Sequence, residues 1–483
     1  MKKFCIGLAL IAFFLTLNPL SAFADSTTYF SVDQYYSLSE KTSVPAVLVK
    51  DINNAYFYIE KGFWESKNQQ EKNEIEAIIE KLSINYRYEI YPTLTNAFGT
   101  EWIIGTDKKL TVLFYPMKKD ALGYTRTVDG YEKTINPLSN QREMVYLNSD
   151  KITGPLLKES LAHEFMHLIT LNQKERMYGT TEETWLNEAR SEYAITLLGY
   201  NAEDKETYLD KRISDFANNS SDSLTEWRDS NYDYGIVSLF AHYLVEQYGR
   251  EVLSDSLHSE KKGIESINEA LLKNKKKETF SQIFSDFSIA IYINDCSVSA
   301  KYCFKNDKLK NVRVLPYSNF LPFSGNSKLS INQTIKNWSS QWQKFSGGGD
   351  NLDIEVSAPF KSFFKATYIV KKTSGEYSIG NISFNDVNEG SFNVSNTNKD
   401  VSSVVLILSL ENTELDEGGG LPFVYNVMAS TDNLSTGTSN QNSNEVKLPF
   451  EIDKPLSQMN REELLMVLLR IIIYLLSQGK TIF

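Results

Sequence analysis

Two short segments constrain this chain more than anything else in it: HEFMH at 163–167 and WLNEARSEYA at 185–194. On an α-helix, residues four apart share a face, with side chains about 5–6 Å apart. Two imidazole nitrogens so placed, from His163 and His167, can converge on one ion. Glu164 lies one step round the helix. It cannot join them as a ligand, but it can take a proton from water beside the ion. Glu188, in the second segment, supplies a further carboxylate. The spacing therefore predicts two packed helices holding one zinc ion through His163, His167 and Glu188, with one position left open for water. The chain has 4 histidines, and two of them fall at this spacing.

The flanking residues agree with helices. Leu157, Leu161, Phe165, Leu168 and Ile169 recur on one face, and Gly154-Pro155 predicts a helix start. Phe165, Met166 and Ile169 should pack and so fix the ligand rotamers. Leu186, Ala189, Tyr193 and Leu197 form the stripe of the second helix. Glu192, four residues past Glu188, is placed to accept from the other ring nitrogen of a ligating imidazole; the plainer alternative is a solvated helix charge. Glu182 and Glu183 sit in a Thr-rich turn and rank below Glu188 as ligands. Hydrolysis of an acyl bond also needs a donor to the developing oxyanion. Tyr232 in YDYG at 232–235 is the first choice and Tyr234 the second, ahead of His242 and His258.

The N-terminus reads as a secretory leader. Lys2 and Lys3 precede an apolar run, and Ala22-Phe23-Ala24 is a small-residue cleavage site, which predicts a mature start at Asp25. The formal net charge is −11, and −13 without those two lysines. An acidic chain of this kind argues against nucleic acid as a partner. Past the leader only Cys296 and Cys303 remain, and an exported chain predicts a disulfide between them.

The pattern along the chain predicts an α+β fold in several parts. A leader at 1–24 precedes a mixed α/β part at 25–150. There, 73–86 has helical spacing, LTVLFY at 110–115 and MVYL at 144–147 read as strands, and a polar, Gly-containing loop covers 123–140. A mostly helical part at 151–310 carries the zinc site. Short apolar runs separated by Gly and Asn turns at 311–430 predict an antiparallel β-sandwich. A Ser, Thr and Asn-rich linker follows at 431–458. The last segment, 459–483, starts with a capping-box pattern and is apolar on nearly every side. Its apolar core, about 20 Å long, is short of the roughly 30 Å of a bilayer. Self-association or attachment to the cell envelope are the expectations for it, with packing on its own β-part as the plain alternative.

HExxH followed some twenty residues later by WLNE resembles the gluzincin metallopeptidases, thermolysin and aminopeptidase N among them. IYPTLTNAFGTEW, GYTRTVDGYEK, SNQREMVYLN, LAHEFMHLITLNQ and WLNEARSEYA together are more similar to the hyicolysin family of secreted bacterial neutral metallopeptidases. The resemblance spans about residues 30–430 and implies a thermolysin-like catalytic domain. It implies His163, His167 and Glu188 as zinc ligands, Glu164 as general base and Glu192 as the outer-shell acid. Tyr232 matches the tyrosine of the Tyr-x-x-Gly motif of aminopeptidase-N-like enzymes. Ala189 replaces the usual glycine after the ligand glutamate. The family gives no role for the segment after Lys454. No Gly-x-Met-Glu-Asn segment, which aminopeptidases use to hold a free N-terminus, is present, and this favours cuts inside chains.

The expectation is a secreted zinc endopeptidase with one Zn2+ per chain and protein or peptide substrates. The peptide would lie extended between the α/β and helical parts, paired with an edge strand. No acidic loop carries a calcium pattern. The competing expectation is an inert surface adhesin or assembly protein on the same scaffold, which would have no need of the intact ligand set.

Overall fold

The computed structural model describes residues 27–102, 108–118, 121–202, 207–322, 327–358, 363–397, 399–411 and 421–430. The leader at 1–24, the linker at 431–458 and the apolar segment at 459–483 lie outside the described residues. The described part is a mixed α+β structure with several sheets.

The first sheet has strands β1 (Thr28–Ser31), β2 (Ser43–Ile52), β3 (Ala55–Glu60), β4 (Leu110–Tyr115), β5 (Gly123–Thr125) and β6 (Met144–Asn148), in the order β1-β2-β3-β4-β6-β5. β3, β4 and β6 run parallel, and β5 returns antiparallel to β6 as the edge strand. β4 and β6 read as continuous apolar runs because both their faces are covered. Val112, Phe114, Val145 and Leu147 face the helices, whereas Leu113, Tyr115, Met144 and Tyr146 face a second layer of aromatic residues. Helices α1 (Lys61–Glu65), α2 (Gln69–Asn85) and α3 (Tyr91–Phe98) cross from β3 to β4. Asn68 and Glu71 form a capping box that starts α2. The π-helical turn Tyr86–Ile90 joins α2 to α3.

The helical part contains α4 (Leu157–Thr170), α5 (Thr184–Leu197), α6 (Tyr208–Asn218), α7 (Asn231–Tyr248), α8 (Arg250–Leu257), α9 (Gly263–Lys273) and α10 (Phe280–Ile293). α4 begins two residues after Pro155, with Leu156 at its N-cap and no side-chain cap, so the proline does not take the first helical position. Among the described residues no helix is long and apolar enough to cross a membrane.

The C-terminal part is β-rich. It has β7 (Tyr317–Leu321), β8 (Ser327–Ile335), β9 (Ser339–Gly347), β10 (Asn351–Ser357), β11 (Phe364–Lys372), β12 (Tyr377–Ile382), β13 (Glu389–Ser395), β14 (Val401–Leu410) and β15 (Leu421–Ser430). One sheet is ordered β13-β10-β15-β8 and the other β12-β11-β14-β9-β7. Ile354 and Val356 of one sheet and Ala366, Leu406 and Leu408 of the other share a core. The all-antiparallel expectation needs one correction, because β7 pairs parallel with β9. Gly347 at φ 85 ends that ladder, where a Cβ would lie 2.2 Å from the Leu321 carbonyl oxygen.

The outer face of the larger sheet is not solvated. Trp338, Trp342, Ile369, Val405 and Ile407 belong to the same core as the helices. The Trp342 indole donates to the Ser288 carbonyl at 3.0 Å, and the Ser288 and Ser340 hydroxyls bond at 2.7 Å. Trp338 meets Phe280 and Phe284 edge-on. A disulfide joins Cys296 to Cys303, with 5.1 Å between the Cα atoms. Because Trp338 is buried in the shared core, Trp338→Ala should cost about 3–5 kcal/mol. Hydrogen exchange should then speed up in both α10 and β9. A change confined to the β-rich part would show instead that the two parts are held independently.

Candidate metal centre

α4 packs on the first sheet through residues that leave no rotational freedom. Leu161, Ala162, Phe165, Met166 and Ile169 are fully buried, and the Phe165 and Tyr86 rings meet edge-on at 5.3 Å. With that face committed, His163, Glu164 and His167 turn to a cleft between β5, α5 and α7. α5 is fixed by the buried Trp185, Leu186 and Ile195, and it presents Glu188 to the two imidazoles.

The His163 and His167 side chains and the Glu188 carboxylate each offer one donor atom within 4.8 Å of the others; among the described residues this is the group able to hold a metal ion. Nε2 of His163 lies 3.2 Å from one Glu188 oxygen and Nε2 of His167 3.4 Å from the other. Burial raises the Glu188 pKa, but the His167 and His163 side chains outweigh it and hold the carboxyl below its ordinary range. Glu188 Oε2 is buried without a hydrogen bond. An orphaned carboxylate oxygen among two imidazole nitrogens is what a borderline-soft divalent cation of the zinc type would satisfy.

The surrounding residues orient the donors. Asn187 Oδ1 is 3.1 Å from His167 Nδ1, and the Ser191 hydroxyl is 3.2 Å from the same atom. Glu192, expected to accept from a ligating ring, lies 3.5 Å from His163 Nδ1, but no hydrogen bond forms there and that nitrogen is buried without a partner. Glu192 is no solvated charge: Arg212 on α6 grips both of its oxygens, at 2.7 and 2.9 Å. Tyr208 stacks over the His163 ring at 6.2 Å. Removing one partner of a buried pair such as Arg212–Glu192 costs about 3–5 kcal/mol.

Glu164 is buried beside the donors. Loss of solvent pushes its carboxyl up to about 8, His167 pulls the other way, and Glu188 adds to the rise. Tyr234 lines the cleft beside it, while Tyr232 does not and is 41% exposed. The first choice of donor is therefore outside the cleft and the second choice is inside. The reason is helical phase: a capping box between Ser230 and Asp233 fixes the start of α7, and residues two apart point about 200° from each other. The Tyr234 hydroxyl donates to Asp229 at 3.2 Å, and the Arg212 guanidinium lies 4.5 Å from its ring centre. Burial, with Glu188 and Asp229 adding to it, raises the Tyr234 pKa strongly.

The remaining candidates are structural. His242 is buried between Ser238 and Thr196. His258 ends α8 outside the cluster. Glu182 bonds Arg190 and the Gly263 amide, and Glu183 accepts from Trp185. Asn187 was readable within WLNE but unassigned. Arg212 had no signal at all, because its partner is 20 residues away and is met only through the fold.

Two cavities open from this centre, of about 240 and about 380 Å³. Tyr36, Gly123, His163, Glu164 and Tyr234 line both. The edge strand β5 was expected to be loop. It is only three residues long, too short to show periodicity, and exists because β6 pairs with it. Gly123 is required there: a Cβ would lie 2.8 Å from the Tyr146 carbonyl oxygen and 3.1 Å from Glu164 Cγ.

No protein-family model matches the chain, and no curated protein matches it. Among solved structures, it is similar to a pre-peptidase C-terminal domain of a collagenase from Bacillus anthracis, at 15% identity over 23% of this chain and 94% of that one, with a TM-score of 0.16. A family GH115 4-O-methyl-α-glucuronidase gives 12% identity over 67% of this chain and 52% of that one, with a TM-score of 0.14. Likeness at this level carries no argument about fold or function.

Because Asn187 orients His167, Asn187→Ala should weaken zinc binding by roughly tenfold or more, measured by competition with a chromophoric chelator. An unchanged affinity would remove that role.

Proposed function

We propose that the chain is a secreted zinc endopeptidase of the gluzincin type, with His163, His167 and Glu188 holding one Zn2+. The observation that carries this reading is the convergence of those three donors beside the buried Glu164, next to the edge strand β5. When bound, zinc supplies Lewis acidity, which polarises a carbonyl oxygen and acidifies water.

The chain's own groups supply the rest. A cation on the three donors would offset the burial that raises Glu164 and favour its ionised form; that carboxylate takes the proton from the attacking water and returns it to the leaving nitrogen. Tyr234, not Tyr232, turns its hydroxyl from Asp229 to the carbonyl oxygen and donates to it as that oxygen gains charge. Glu192, held by Arg212, and Asn187 keep the two imidazoles in place.

The peptide is held by β5. The Asn148 amide bonds the Leu122 carbonyl at 3.0 Å, and Tyr124 stands opposite Tyr146. Ladder bonds alternate, so Gly123 and Thr125 turn their N–H and C=O groups outward to an added strand. An antiparallel peptide then runs with its N-terminal side toward Thr125 and its C-terminal side toward Leu122. One cavity is lined as far as Thr127 and the other as far as Lys118, which gives a chain room on both sides of the cut.

Glu164→Gln should keep one zinc per chain and lose at least about a hundredfold in casein hydrolysis. Parent-rate cleavage by that variant would exclude Glu164 as the base. His163→Ala should lower the zinc content, and an unchanged value by elemental analysis would count against His163 as a ligand.

A further inference from the structure

The cleft wall opposite α4 is built by a residue that no motif singled out. Tyr36 lies between β1 and β2, on backbone tied to the end of β4. The Lys118 amide bonds the Tyr36 carbonyl at 3.0 Å, and the Leu38 amide bonds the Pro116 carbonyl at 3.4 Å. Ser37 and Met117 form an isolated β-bridge.

Its ring is fixed as firmly. Tyr36 stacks on Tyr124 at 4.4 Å and 12°, and Tyr124 stacks on Tyr146 at 4.4 Å and 1°. Tyr124 and Tyr146 face each other across the β5–β6 pair. The three rings step outward at close to the spacing of neighbouring strands, about 4.7–4.9 Å. Tyr36 therefore stands where a side chain of the next strand would stand. Burial, with the nearby Asp229 and Glu164 adding to it, pushes its hydroxyl up to about 12.

We propose that Tyr36 determines specificity: it fills the place of one substrate side chain, so that a peptide added to β5 must carry a small residue opposite Tyr124. This inference rests on the peptidase reading. Side chains alternate across a strand, and the peptide residue opposite Tyr124 points to the face where Tyr36 already is. Glu164 packs against Gly123, where a Cβ would lie 3.1 Å from its Cγ, so the bond cut lies opposite Gly123; Tyr124 is on the Thr125 side, and the residue facing it is one of the two that precede the cut. Glycine, alanine or serine fit beside the ring, and leucine or an aromatic residue does not.

The test is a peptide-library digest by the zinc-loaded full chain, with cut sites mapped by mass spectrometry. The parent should favour small residues at one of the two positions before the cut. Tyr36→Ser should raise cleavage after leucine or phenylalanine at that position by roughly tenfold, the scale of a few methylene groups in an apolar pocket. Tyr36→Phe keeps the ring and should keep the preference. If Tyr36→Ser does not fold, Tyr36→Leu serves, with a smaller shift at the same position. Binding to chains carrying Glu164→Gln, measured by calorimetry, gives the same comparison without turnover: peptides with alanine or phenylalanine there should differ by roughly tenfold in Kd with Tyr36 and converge without it. An unchanged profile, a shift confined to residues after the cut, or loss of the preference in Tyr36→Phe would overturn the proposal. A parent that neither cuts nor binds peptides would overturn the peptidase reading instead.

Discussion

Burying a carboxylate between two imidazoles is the constraint on which the site depends. Glu188 sits within 3.4 Å of both rings, with one oxygen that no protein group satisfies. A buried acceptor left in this state costs about 1–3 kcal/mol. The surrounding fold is built to hold that arrangement. One side of α4 is fully packed against the sheet, and Arg212 neutralises Glu192 behind His163. The two imidazoles and Arg212 offset part of that cost, and a divalent cation held by the three donors would satisfy the remaining oxygen. That is the physical ground for the proposal that these donors hold an ion.

The same packing decides what can reach them. β5 is short and sits at the sheet edge, and Gly123 lets it approach Glu164 closely. The two cavities meet at the donors and spread along β5 in opposite directions, so the cleft follows the line an added strand would take. Tyr36 and Tyr234 face it from the sheet side and from α7. The β-rich part buttresses this body from behind, through Trp338 and Trp342 against α10.

The helices and the donors were legible in the sequence for a definite reason. His163, His167, Glu164 and the stripe of Phe165 and Ile169 belong to one helix, where spacing alone fixes direction. Glu188 and Glu192 were readable in the same way on a second helix. The strands at 110–115 and 144–147 were readable because burial on both faces makes them continuously apolar. What failed to show was long-range. Arg212, Tyr36 and β5 take their roles from partners far off in sequence. The choice between Tyr232 and Tyr234 turned on the phase of α7, which a capping box sets and an apolar helix does not reveal. The parallel pairing of β7 likewise has no local signature.

X-ray absorption at the zinc edge of the purified chain tests the metal assignment most directly. One zinc per chain, bound by two imidazole nitrogens at about 2.0–2.1 Å with only oxygen beside them, is the expected first shell. A chain that takes up no zinc, or a spectrum showing one imidazole or none, would contradict it.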